Sequence, residues 1–212
     1  MKIRLQFEKN MPYISHLDLM KAVQKILKRT GLPLKYSEGF NPHMVLNIAN
    51  PLPLGIVGKQ EFLDFELKTD SLSFGEVKEK LRLASPEGIV PVEIYTENLK
   101  KFNDTHNAEY SITIRTCEKE KIRDFLAQET IPFEKFSKGK TKTIDLKELM
   151  FRYELTDTEE GVNLSLNCAC GNEKTLNPLL LKKAMTDSGI QITAFLATRL
   201  GFYDKDGNGF AS

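Results

Sequence analysis

The chain has 212 residues, 41% apolar and 28% charged, the balance of an ordinary globular protein with room for one large domain or two of about 100 residues. Lys and Arg number 30 against 29 Asp and Glu, which excludes a globally basic nucleic-acid binder, so any basic site has to be local. No apolar run approaches the roughly 18 residues of a membrane span. With three cysteines and no signal-peptide core in MKIRLQFEKN, this predicts a cytoplasmic protein without a disulfide framework.

Ile3, Leu5 and Phe7 alternate with Arg4, Gln6 and Glu8, the pattern of a half-buried strand. Ser15 then opens a helix, with Asp18 as an acidic variant of the capping box and Ile14 and Leu19 placed as a hydrophobic staple. Leu17, Met20, Val23, Ile26 and Leu27 form its apolar stripe, and Gly31 with Pro33 ends it. A short strand over 32–37, the loop YSEGFNPH (36–43) and a strand over 44–49 follow. PLPLGIVGKQ, punctuated by proline and glycine, reads as an irregular connection. A strand at 62–67, a helix at 74–83 and a strand at 89–95 complete the first half.

The polar stretch TENLKKFNDTHN marks a boundary. Tyr110, Ile112 and Ile114 alternate as a strand, and a helix over 118–128 buries Ile122, Phe125 and Leu126. A short strand over 131–136 leads into the basic connection SKGKTKTIDL. Residues 149–155 and 162–168 read as a hairpin across DTEEG. Asn177 caps a helix with Pro178 at its first position. Gly189 ends that helix, and 190–203 is the last strand.

Each half therefore runs strand, helix, strands, helix, strand, the order of the split βαβ unit. The expected fold is α+β: two tandem ferredoxin-like lobes, each an antiparallel sheet with helices on one face. Their bounds are 1–98 and 109–204, with a linker at 99–108 and a polar tail at 205–212. A single mixed α+β domain is the alternative.

Four constellations bear on chemistry. DKDGNG (204–209) opens like a calcium-binding loop but has no acid at the twelfth position. Cys168 and Cys170 share one face of a strand, yet a structural zinc site wants four ligands, so packed thiols are the reading and no metal or cofactor is expected. Lys135, Lys138, Lys140 and Lys142, with Phe133 and Phe136 adjacent, suit a phosphate backbone and stacked bases. The plain alternative is a solvated lysine loop.

The fourth lies in the first lobe. Ser15 and His16 stand at a helix N-terminus, whose free N–H groups and dipole favour an anion and a neutral imidazole. His43 ends the YSEGFNPH loop. Gly39, Asn41 and Pro42 account for the turn itself, whereas Tyr36, Phe40 and His43 are not required by it. Were His16 and His43 to meet, they would suit metal-independent acid–base cleavage of RNA. Packing and loop hydrogen bonds are the alternative for each.

The segments RLQFEK and ISHLDLMKAVQKILKRTGLPLKYSEGFNPHMVLNIANPLPLG closely resemble the bacterial radical-SAM-linked family, a domain of unknown function that stands alone or follows a cobalamin-binding radical SAM enzyme. KGKTKTIDL and LNPLLLKKAM extend the likeness more loosely, and ATRLGFYDKDGNGF is less typical. The resemblance implies an accessory role beside a radical SAM enzyme, and the family's gene neighbourhoods imply RNA. The two-lobed pattern also resembles, at the level of fold alone, the RAMP-type CRISPR endoribonucleases.

The reading is thus a binding module for RNA or another phosphate-bearing ligand, without activity of its own. Ser15, His16, Tyr36, Gly39, Phe40, Asn41 and His43 would line its site, and Lys135, Lys138, Lys140 and Lys142 would supply outer contacts. A ribonuclease using His16 and His43, or a protein–protein adaptor docking through sheet edges, are the alternatives.

Overall fold

A computed structural model describes residues 1–137 and 139–210. The architecture is mixed α/β, with four α-helices among the described residues and mostly antiparallel sheet. Two compact units make it up: residues 1–104 with 203–212, and residues 105–202.

The first unit contains β1 (Lys2–Lys9), α1 (His16–Arg29), β2 (Leu46–Ile48), β3 (Ile56–Glu66), α2 (Phe74–Ala84) and β4 (Ile89–Tyr95). Its strands lie in the order β4-β1-β3-β2, every neighbour antiparallel. Ile3, Leu5 and Phe7 meet Leu63 and Phe65 of β3, Val23, Ile26 and Leu27 of α1, and Val77 and Leu81 of α2 in one core. Ser15 caps α1 by accepting from Asp18 N, and Ser73 with Glu76 forms a full capping box on α2.

Several expectations for this unit fail. The strand expected over 32–37 is present only as isolated bridges of Leu34 with Leu67 and Tyr36 with Met44. PLPLGIVGKQ is not wholly irregular: its second half, from Ile56, is the start of β3. Gly58 pairs with Lys9 at a bulge, where a Cβ would strike the Glu61 side chain at 2.5 Å, so glycine there marks close packing rather than a break. Leu17 is 70% exposed; Leu19, not Leu17, turns inward from the first turn of α1.

The face of β1 opposite the helices carries Arg4. Its guanidinium, wholly buried, grips Asp64 with two bonds of 2.7 and 2.9 Å. It also donates to the carbonyls of Phe210 (3.0 Å) and Lys100 (2.7 Å) and lies 4.1 Å over the Phe102 ring. Every arm of the fork thus has a partner, and residues 100–102 and 210 are tied to the sheet.

The expected polar tail is instead a turn. Asp204 Oδ1 accepts from the N–H groups of Asp206 and Asn208 at 3.0 and 2.8 Å, and Lys100 Nζ donates to Oδ2 at 2.6 Å. Lys100 first, and these N–H groups next, pull the Asp204 carboxyl from an ordinary 3.8 to about 2. The resemblance of DKDGNG to a calcium loop is therefore the signature of a turn whose carboxylate is already engaged. A depressed carboxyl stabilises the fold above its unfolded value, and that stability drains as pH falls from about 4 to about 2. Asp204→Asn should flatten the pH dependence of unfolding across this window; an unchanged profile would contradict the assignment.

The second unit contains β5 (Thr105–Arg115), α3 (Lys119–Ala127), β6 (Pro132–Ser137), β7 (Lys140–Asp145), β8 (Met150–Thr158), β9 (Gly161–Ala169), α4 (Pro178–Asp187) and most of β10 (Ala194–Asp204). Strands β10, β5, β9 and β8 are neighbours in that order. Ile112, Ile114, Leu164 and Leu166 are buried, as are Ile122, Phe125 and Leu126 of α3 and Leu181 and Met185 of α4. Cys168 and Cys170 are buried as well, and burial, then the neighbouring Cys170, pushes the Cys168 thiol far above its ordinary value. The expected hairpin across DTEEG is β8–β9.

The basic connection is where this unit departs from expectation. SKGKTKTIDL is not a loop: its residues from Lys140 to Asp145 form β7, which pairs with β6 as a separate two-stranded ribbon.

Candidate nucleic-acid interface

The ribbon is rooted at its base. Asp145 Oδ1 accepts from the N–H groups of Ile131 and Lys147 at 2.7 and 2.9 Å, an Asx-type closure that locks where β7 ends. Phe133 is buried opposite half-buried Ile144. Below the root, Lys147 lies over the Tyr153 ring, and both donate to the carbonyl of Leu126.

Beyond the root, Glu134, Lys135 and Phe136 of β6 and Thr141, Lys142 and Thr143 of β7 are all exposed. Gly139 at the tip has φ 75°, a left-handed conformation that glycine adopts without cost. An isolated two-stranded hairpin is marginal in water, so a solvated ribbon on a packed root is a feature that packing alone does not explain.

The register sets its chemistry. Lys135 pairs directly with Lys142, which sets the two side chains about 5 Å apart at Cβ with like charges on opposite strands, a destabilising arrangement. Neither lysine has an ion-pair partner among the described residues. Phe136 faces Thr141 one step further on, hence on the opposite face, and is 74% exposed. Lys140 begins β7; its side chain, like the whole of Lys138, lies outside the described residues.

Beside β7 runs an open cleft of about 1010 Å³, lined by Lys135, Thr141, Lys142 and Thr143 on the ribbon side and by Glu148, Glu173, Lys174 and Thr175 across from it. The sequence reading missed that second wall. A second, smaller hollow of about 470 Å³ flanks β6 next to Phe125, Lys183 and Asp187.

The first-unit residues do not converge. Ser15 and Asp18 satisfy each other, Ser15 Oγ donating to the carboxylate at 2.7 Å, so the N-terminus of α1 already holds an anion of its own. His16 is half-buried, with Nδ1 unpartnered. His43 bonds within its own loop: its Nδ1 and its backbone N–H lie 2.9 and 3.0 Å from Ser37 Oγ, and its carbonyl accepts from Ser37 N at 2.7 Å. Tyr36 packs on the core.

Helix α1 separates the two histidines. His16 starts its 14 residues, about 20 Å of helix, at the end where Pro12 accepts from Gly55 and Asn10 donates to Gly88. The 37–43 loop stands at the other end, just past the bridges Leu34–Leu67 and Tyr36–Met44. Acid–base groups must reach one substrate directly or through one water, and the described contacts of His16 and His43 do not link them. Gly39 (φ 118°) turns the loop and leaves Phe40 fully exposed beside exposed Asn41.

The observations define a mixed α/β chain carrying a rooted basic β-ribbon above an open cleft. The chain belongs to the family described as "uncharacterized protein conserved in bacteria (DUF2344)", whose model matches residues 2–178. That span takes in the ribbon and both cleft walls and stops at the first residue of α4. No curated protein matches the chain. Among the described residues no helix is long and apolar enough to cross a membrane, and no cluster of three His, Cys, Asp or Glu side chains could hold a metal ion.

Proposed function

We propose that this protein is an RNA-binding accessory protein, without catalysis of its own, that acts in the cytoplasm beside a radical SAM enzyme. The carrying observation is the Lys135–Lys142 pair, two unpartnered like charges on an exposed ribbon above the cleft. A phosphate between them relieves their repulsion and releases counterions from the nucleic acid. Lys174 extends the positive wall, and Glu148 and Glu173 are acceptors for base amino groups. Lys138 and Lys140 belong to the same basic segment of the sequence.

The fold reading that accompanies this is two ferredoxin-like units. Strand order 4-1-3-2 in the first unit supports it. In the second, β10-β5-β9-β8 repeats that order once the β6–β7 ribbon is taken as an insertion between α3 and β8.

The test is fluorescence polarisation of the chain against tRNA and total bacterial RNA over a range of salt. Binding that weakens steeply as salt rises is expected; negligible or salt-independent binding would overturn the RNA reading.

The partner enzyme comes from the sequence resemblance, and a distinct surface favours it. Phe40 stands fully exposed on a loop braced by Ser37 and His43, the form of an aromatic anchor for a pocket on another protein. Phe40→Ala should weaken capture of a radical SAM enzyme at least tenfold in a pull-down while leaving RNA affinity unchanged. Capture undiminished by the change would remove Phe40 from the interface.

A further inference from the structure

We infer that the ribbon selects unpaired nucleotides, with one base stacked on Phe136 while neighbouring phosphates lie along Lys135 and Lys142. The inference rests on the RNA-binding reading above and narrows it to single-stranded ligand. Three features of the ribbon carry it.

Phe136 is a large apolar side chain left 74% exposed on the outer part of the ribbon, whereas Phe133, three residues earlier, is buried at the root. The two aromatics therefore have different uses: the first anchors the ribbon, and the second contributes nothing to that anchoring. Phe136 also follows Lys135 directly and looks the opposite way, so the ribbon presents the lysine pair on one face and the Phe136 ring, beside Glu134, on the other. A strand that wraps the ribbon edge places a base on Phe136 and a phosphate at Lys135, one residue away along β6.

The third feature is the flank of Phe136. Its cross-strand neighbour is Thr141, small and polar, so no bulky side chain lies directly opposite the ring. Aromatic stacking accepts any base, because every base has a π-face, and works only where the base is free of its helix. A duplex offers its phosphates to Lys135 and Lys142 but keeps its base faces closed to Phe136. Single strands gain both contacts, and the discrimination between them lies in Phe136.

The chain contains no tryptophan, so Phe136→Trp installs a single reporter at the proposed stacking position. The experiment titrates wild type, Phe136→Ala and Phe136→Trp with labelled oligo-uridine, with the same length of oligo-deoxythymidine, and with a blunt RNA duplex. Wild type should bind oligo-uridine at least fivefold more tightly than the duplex. Phe136→Ala should lose about 5- to 100-fold on the single strand, with an unchanged salt slope and unchanged duplex binding. Phe136→Trp should retain affinity and show quenched emission on binding. Deoxythymidine bound as well as uridine supports recognition by base face and phosphate alone, and weaker binding adds a contact to the 2′-hydroxyl.

Equal affinity for single strand and duplex, with Phe136→Ala indistinguishable from wild type, would overturn the inference and leave the RNA reading standing. Failure to bind any of the three nucleic acids would overturn the reading itself. Circular dichroism of both variants should match wild type, because Phe136 lies outside the core.

Discussion

Arg4→Met should be the most damaging single substitution in the first unit, lowering unfolding free energy by about 3–5 kcal/mol. The loss comes from what is left behind. Asp64, itself buried, would keep its charge with only Lys2, 2.8 Å away and half exposed, to offset it. The carbonyls of Lys100 and Phe210 would lose their donors, at a further desolvation cost. Arg4→Lys should recover only part of the loss, because a single ammonium cannot reproduce the bidentate fork. Arg4→Met combined with Asp64→Leu should cost less than Arg4→Met alone, since no uncompensated charge then remains buried. Urea unfolding of the three variants checks the ranking. A double variant less stable than the single would show that the pair contributes more than mutual neutralisation.

The second large effect belongs to the ribbon. Lys135→Ala with Lys142→Ala should reduce RNA affinity by about tenfold to a hundredfold per lysine, and the salt slope should fall by about one for each phosphate contact removed. Stability should hold or rise slightly, because the change removes a like-charge cross-strand pair. Loss of affinity with gain in stability is the pattern of a functional pair; a purely structural pair would lose stability first. Unchanged affinity in this double variant would move the RNA site off the ribbon.

Local signals made much of the fold legible. Helix α1 was recoverable because Ser15, Asp18 and the Leu19, Val23, Ile26 and Leu27 spacing act within a few residues of one another. Strand β4 was placed at its true bounds by Ile89 to Tyr95 alone. The misses have different causes. Ile56 to Gln60 looked irregular because Gly55 and Gly58 imitate turn chemistry, whereas Gly58 serves a close approach to Glu61. Lys140 to Ile144 alternates charge and hydroxyl with period two, which is strand periodicity, but lysine density hid it behind the expectation of a loop.

The candidate site was only half readable. The lysines and Phe136 were visible in the sequence, yet their value depends on the register that sets Lys135 against Lys142 and turns Phe136 to the other face. Glu173, Lys174 and Thr175 reach the cleft from about 30 residues further along the chain, beyond any local pattern. The Arg4 cluster was invisible for the same reason, since its partners lie 60, 96 and 206 residues away. In the first unit the sequence left the relation of His16 to His43 open, because it depends on where the 37–43 loop stands relative to α1.

The most direct measurement is amide chemical-shift mapping of the labelled chain during titration with oligo-uridine. Shifts concentrated at residues 132–145 and 173–175, with those around His16 unmoved, are the predicted result. Shifts confined to the first unit, with the ribbon silent, would contradict it.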